Sequence, residues 1–223
     1  MNIKLFFEAI IKIALGILLM FLLIFVPANS WNYWNGWLLI GLLFIPMFVA
    51  GIVMMIKTPE LLKKRLNIKE KQSEQKAVVL LSAIMFIAGF IIAGLNFRYG
   101  WTRIPNLIVI IASVLFVLAY ILYAEVLREN QYLSRTIEVQ ENQKVVDSGL
   151  YGIVRHPMYS ATIILFLSMP LILGSIISFA IFLVYPIIIA KRIKNEEELL
   201  EKELNGYKEY KEKVKYKMIP FIW

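Results

Sequence analysis

"ATIILFLSMPLILGSIISFAIFLVYPIIIA", from Ala161 to Ala190, runs for thirty residues without a charged side chain. A helix needs about 20 apolar residues to cross the hydrocarbon core, so the stretch is too long for one untilted span. Gly174-Ser175 lies near its middle, with Pro170 and Pro186 on either side. Glycine followed by serine suits a tight turn better than a helix interior. The reading is therefore a helical hairpin, and its competitor is one long tilted helix kinked at proline.

Working outward, four more runs have the length of a span: Leu5 to Val26, Trp37 to Ile56, Ala77 to Phe97 and Asn106 to Leu127. Trp31, Tyr33 and Trp34 precede the second run, where aromatic rings suit the membrane interface. The first run has no small-residue cleavage site before Pro27 and reads as a retained span rather than a signal peptide. Hydrophobic residues make up 60% of the chain, and the mean hydropathy is +0.70, far above what a soluble domain needs. The fold class expected is all-α: a polytopic transmembrane bundle of about six spans, the last two forming the hairpin, with an amphipathic tail helix in the cytoplasm.

The formal charge is +8, with 24 Lys and Arg against 16 Asp and Glu. No basic stripe with interleaved aromatics stands clear of the apolar runs, which argues against nucleic acid as a partner. No cysteine and a single histidine exclude disulfides and thiolate chemistry, and leave a transition metal without its usual ligands. Basic residues concentrate in "KTPELLKKRLNIKEKQSEQK" after the second span, in the segment holding Arg128, Arg135, Lys144 and Arg155, and in the tail from Lys191. Only Arg98 and Arg103 fall on the other side. The positive-inside rule then places both termini and these three segments in the cytoplasm, and the chain divides into an N-terminal four-helix region, 1–127, and a C-terminal region, 128–223, of polar loop, hairpin and tail helix. The polar stretch from Arg128 to Pro157 is the place for nonregular, functional structure.

The single histidine sits in "GLYGIVRHPMYS", Gly149 to Ser160. Proline disfavours helical geometry in the residue before it and suits the first helical position, so His156 should be held extended at the mouth of a helix begun by Pro157. The bland reading makes His156 a cap among lipid headgroups. A second cluster follows the hairpin: Arg192 and Glu196 are four apart, share a helix face, and are followed by Glu197. Arg192 lies just past the apolar run, where it can face a cavity at the interface. Leu200, Leu204, Tyr207, Tyr210 and Val214 form an apolar stripe that can lay the tail against the membrane or the bundle. Glu8 and Lys12 should pair on the first span, Glu125 reads as an interfacial glutamate, and Asn96 as a helix-end residue.

"SGLYGIVRHPMY", a two-helix apolar segment, "RIKNEEELL", "YKEY" and a closing "IPF" together resemble the isoprenylcysteine carboxyl methyltransferase family and its bacterial relatives, over about the last ninety residues. "RHP" alone would also suit membrane sterol reductases. Glu196-Glu197 after Arg192 and the lack of a cysteine-containing, aspartate-rich tail favour the methyltransferases.

The resemblance implies S-adenosylmethionine as cofactor, with contacts falling on Val145, Val146, Tyr151, His156, Pro157, Met158, Tyr159, Glu196 and Glu197. It puts Arg192 where the family orients the acceptor, and makes Arg192, Glu196 and His156 the catalytic set, with no metal. Departures from the family's pattern are Leu150 for a commoner proline, Gly152 for a larger residue, Ser160-Ala161 where glycine is usual, and "LNGY" in the tail. These positions bear on cofactor affinity and acceptor shape.

The expected reaction is methyl transfer to a lipid-like acceptor, foremost a carboxylate, at the cytosolic face of a prokaryotic plasma membrane. A carboxylate is ionised at neutral pH and needs no base. An amine acceptor would need Glu196, Glu197 or His156 to take a proton. A phospholipid-type N-methyltransferase and an NADPH-dependent sterol-type reductase are the enzyme alternatives, and a non-catalytic membrane scaffold is the third class. A Ser160-His156-Asp147 hydrolase lacks a nucleophile elbow.

Overall fold

The structure is a computed structural model that describes residues 3–66, 73–134 and 136–223, without the side chains of residues 73 and 74. Arg135 and part of the lysine-rich segment after the second span lie outside the described residues. Four long helices come first: α1 (Ile3–Ala28), α2 (Trp34–Lys57), α4 (Ser73–Tyr99) and α5 (Asn106–Glu129), with the short α3 (Pro59–Leu66) between α2 and α4. At 1.5 Å per residue their 24 to 27 residues reach about 36 to 40 Å, enough to cross a hydrocarbon core of about 30 Å. α6 (Pro157–Ile172), α7 (Ile176–Phe182), α8 (Tyr185–Glu203) and α9 (Tyr207–Lys213) follow. All regular structure among the described residues is helical.

Among the described residues five segments are long and apolar enough to span, counting Ile176–Glu203 as one, and the shorter apolar α6 packs with them. The hairpin is present. α6 ends at Ile172 and the chain reverses at Gly174, whose φ of +75° is left-handed. Ser175 then caps α7, its hydroxyl accepting from the Ser178 amide. The limbs run antiparallel: Tyr159, at the start of α6, meets Arg192 near the end of the second limb, while Tyr185 packs on Thr162 and Phe166. Pro186 stands in the first turn of α8, where its missing N–H does no harm.

The turn end of the bundle is tied by α2. Tyr33 Oη donates to the Leu173 carbonyl at 2.5 Å and Asn35 Nδ2 to that of Ile172 at 2.7 Å, satisfying carbonyls that the end of α6 leaves open. Asn96 closes the α4–α5 turn, as expected of a helix-end residue, by accepting from the Thr102 amide at 3.0 Å and hydroxyl at 2.7 Å. One hydrophobic core joins both halves of the chain, from Met20 and Ile24 through Phe116 to Ile172, Phe182 and Ile193.

The charged segments gather at the other end. Lys12 pairs with Glu8 at 2.6 Å, as its spacing suggests, and also donates to the Leu66 carbonyl at 2.7 Å. From α3, Lys64 donates to Gln140 and Arg65 to the Ser134 carbonyl. The start of α1, α3 and the polar segment after α5 therefore share a face of the molecule. Glu125 pairs with Arg128 on the exposed surface, in keeping with an interfacial glutamate.

The tail departs from the single helix expected. α8 stops at Glu203, and Gly206, with φ +84°, opens a separate α9. The stripe does pack inward: Leu204, Tyr207, Tyr210 and Val214 form a second small core with Leu200, Val139 and Val145 of the polar segment. A left-handed glycine is what lets the stripe turn back onto that segment.

Candidate functional site

His156 stands just before the first turn of α6 with φ −127° and ψ 60°, outside the helical region as its proline requires but short of the extended backbone expected. The C-terminal strap lies alongside it. The Arg155 amide donates to the Tyr216 carbonyl at 2.9 Å and the His156 amide to that of Lys217 at 2.8 Å, while Ser160 Oγ donates to that of Met218 at 2.7 Å. Gly149, at φ +56°, starts the turn that leads here, and Glu129 Oε2 accepts from the next amide, Leu150, at 2.9 Å.

Beneath this turn is a buried ionic knot. Arg155 Nε donates to Glu197 Oε1 at 2.7 Å, and its Nη1 to the carbonyls of Val214 and Lys215 at 2.7 and 2.8 Å. His156 Nε2 lies 3.1 Å from the same Glu197 oxygen. Arg155, His156 and Glu197 are 6%, 5% and 4% exposed. A buried carboxylate is tolerable only with such charge-assisted partners.

Glu196, one residue earlier on α8, faces the other way. Its Oε2 accepts from Tyr159 Oη at 2.5 Å, and Tyr159 Oη accepts in turn from Arg192 Nε at 2.9 Å. Arg192 Nη1 reaches Gln75 Oε1 on α4 at 3.4 Å. These contacts form a chain of polar groups from α8 through α6 and back to α8, ending on α4.

Above Glu196 opens a cleft of about 830 Å³, its solvent-filled mouth included. Its walls are the polar segment after α5, the turn before α6, one face of α8 and α9. Of the residues singled out from sequence, Val145, Val146, Tyr151, His156, Met158, Tyr159, Arg192 and Glu196 line it. Pro157 and Glu197 are not in the lining. Pro157 is buried in the first turn of α6. Glu197, expected among cofactor contacts, is instead held by Arg155 and His156, because successive residues of a helix point about 100° apart.

Sequence reasoning missed several features. Arg155 was visible only as a loop charge, and nothing local announced that it gathers three acceptors from α8 and the strap. The cleft also takes in Thr136, Glu138, Tyr207 and Tyr210. Tyr210 Oη donates to the Tyr151 carbonyl at 2.8 Å. Tyr207 Oη is buried with no partner. Burial pushes the phenols of Tyr151, Tyr207 and Tyr210 up, so all three stay neutral. Ser160, His156 and Asp147 form no triad: Ser160 bonds the Met218 carbonyl, and Asp147 pairs with Lys213 at 2.9 Å, which holds its carboxyl below the usual range.

Residues 110–202, which carry most of the fourth span, the histidine turn, the hairpin and both glutamates, match the isoprenylcysteine carboxyl methyltransferase (ICMT) family. Over this stretch the chain is similar to the ICMT family. The stretch is less than half of the 223 residues. A 91-residue segment is also 29% identical to a Delta(14)-sterol reductase of Mus musculus, a match covering 40% of this chain and 22% of that protein. The matched segment thus spans about a fifth of that relative's length. The ICMT stretch contains the Glu196, Tyr159 and Arg192 chain entire; α9 and the strap that closes behind Arg155 fall beyond it.

Proposed function

We propose that the protein is a membrane methyltransferase that moves a methyl group from S-adenosylmethionine to a lipid-like acceptor, foremost an ionised carboxylate, at the cytosolic boundary of the membrane. The observation that carries this reading is the Glu196, Tyr159, Arg192 chain, which links a solvent-open cleft to the interior of a helix bundle. The similarity of residues 110–202 to the isoprenylcysteine carboxyl methyltransferase family supports it.

The cleft suits S-adenosylmethionine. Glu196 offers a carboxylate for an amino group or ribose hydroxyls, and the unpartnered Tyr207 hydroxyl is a polar atom awaiting a ligand. Tyr151 and Tyr159 bring aromatic rings, whose faces attract a cation by about 0.5 to 2 kcal/mol. Val145 and Val146 bring main-chain donors and acceptors from the polar segment. When bound, S-adenosylmethionine supplies an electrophilic methyl group on a sulfonium. The residues of the chain then have only to align and shield. Glu196 holds one side, Arg192 holds an acceptor carboxylate through parallel N–H groups, and Tyr159 fixes the spacing between them. Alignment of this kind accounts for much of the rate in a displacement that requires no proton removal.

In this reading residues 128–223 are the catalytic region and 1–127 the membrane scaffold. The charged end of the bundle faces the cytoplasm with both termini, in a prokaryotic plasma membrane. The ionic knot supports a carboxylate over an amine acceptor, because His156 and Glu197 hold each other and are poor candidates for a general base.

The similarity to a sterol reductase favours a second reading, reduction with NADPH. Equilibrium binding of labelled S-adenosylmethionine and of NADPH to the purified protein separates the two. Saturable S-adenosylmethionine binding that is lost in Glu196→Ala is expected, and preferential NADPH binding would overturn the proposal. Incubating membranes with methyl-labelled cofactor should place base-labile label, an ester, in the lipid fraction.

A further inference from the structure

The polar chain that begins in the cleft ends on Gln75, a residue of α4 outside the family-matching stretch. The Gln75 side chain is 0% exposed. Its Oε1 faces Arg192, and its Nε2 has no partner. The orientation of the amide follows from chemistry: a guanidinium only donates, so the oxygen must face Arg192 and both N–H groups must point elsewhere. Leaving such donors unpaired in a bundle core costs free energy that an apolar side chain of the same shape would not.

We infer that Gln75 is an acceptor-positioning residue, its Nε2 donating to an oxygen of the acceptor head that Arg192 also holds. This rests on the methyl-transfer reading above. Gln75 does not line the cofactor cleft; it lies behind Arg192, on the α4 side. The cofactor and the acceptor head therefore approach the Tyr159 and Arg192 pair from different directions. Arg192 and the Gln75 amide nitrogen both offer N–H donors there. An oxygen anion accepts from both. A protonated amine has no lone pair to offer and meets the charge of Arg192 directly. Gln75 thus selects oxygen heads over ammonium heads, and acceptor choice is made in part by the N-terminal half of the chain.

The test uses the full chain in phosphatidylcholine nanodiscs, with Gln75→Leu and Gln75→Glu. Gln75→Glu keeps an oxygen facing Arg192, so the packing is held while both N–H groups are gone. The probes are labelled S-adenosylmethionine, hexadecanoic acid and hexadecylamine. Saturable binding of the acid but not of the amine is expected, weakened at least tenfold in both variants, with cofactor affinity unchanged within about twofold. Equal binding of acid by parent and variants, equal binding of acid and amine, or a matching loss of cofactor affinity in Gln75→Glu overturns the inference. Failure of the parent protein to bind S-adenosylmethionine sinks the methyl-transfer reading instead.

Discussion

Arg155 Nε and Glu197 Oε1 lie 2.7 Å apart in the buried floor of the cleft, and the same guanidinium holds the strap through the Val214 and Lys215 carbonyls. The pair joins the histidine turn, α8 and the C-terminal strap at a single point. Lys211 and Lys217 stand 3.8 Å from the second Glu197 oxygen and add positive potential around it.

Removing one partner from a buried pair costs about 3 to 5 kcal/mol, because the other charge is stranded. Glu197→Ala should therefore lower the melting temperature of the detergent-solubilised protein well below that of Glu197→Gln, which still accepts from Arg155. Arg155→Lys should fail to restore stability, since an ammonium cannot reproduce the planar fork that reaches Glu197 and two carbonyls together. A melting temperature for Arg155→Lys equal to that of the parent would contradict this role.

Glu196 and Tyr159 should separate binding from turnover. Glu196→Ala is expected to weaken S-adenosylmethionine binding at least tenfold, about 1.4 kcal/mol. Tyr159→Phe leaves Glu196 in the cleft but removes the hydrogen bond that ties Arg192 Nε to it through Tyr159, so cofactor affinity should hold within about threefold while turnover falls on the order of a hundredfold. Titration of the cofactor beside single-turnover methyl transfer checks both.

Tyr207 should show opposite signs for stability and binding. Its hydroxyl is buried without a partner, so Tyr207→Phe should leave the melting temperature unchanged or raise it. If the cofactor uses that hydroxyl, affinity drops about five- to tenfold, a loss near 1 kcal/mol. A lowered melting temperature with unchanged affinity would show that the hydroxyl serves the fold instead.

Gly174 carries the hairpin. A Cβ there would meet Asn35 Nδ2 at 3.6 Å, an ordinary contact, so the cost of Gly174→Ala comes from its φ of +75° alone. About 1 to 2 kcal/mol of destabilisation is expected, read as a lower melting temperature with unchanged activity per folded molecule. Gly174→Asn, which tolerates left-handed backbone, should cost less.

The transmembrane elements and the hairpin were legible because the signals are local. Ala161 to Ala190 is too long for one span, and Gly174-Ser175 has the chemistry of its turn. Pro157 foretold the start of α6 and a nonhelical His156, and the stripe from Leu200 to Val214 foretold burial. The stripe did not foretell its target, nor that Gly206 would break the helix. Glu196 and Glu197 looked alike in sequence, yet one faces the cleft and the other the ionic knot. Arg155 could not be singled out, because its acceptors lie 42 to 60 residues away, and Gln75 stood in a charged segment with nothing to set it apart.

By itself the sequence determined that this chain is a helical membrane bundle, where its helices reverse, and which short segments carry polar chemistry. Lipid satisfies no backbone groups, so a long apolar run has only the helix available to it, whatever its neighbours do. The tertiary structure alone decided which carboxylate meets which cation, and that α4 closes the polar chain. Those pairings depend on the rotation and packing of helices far apart in sequence, and no spacing along the chain encodes them.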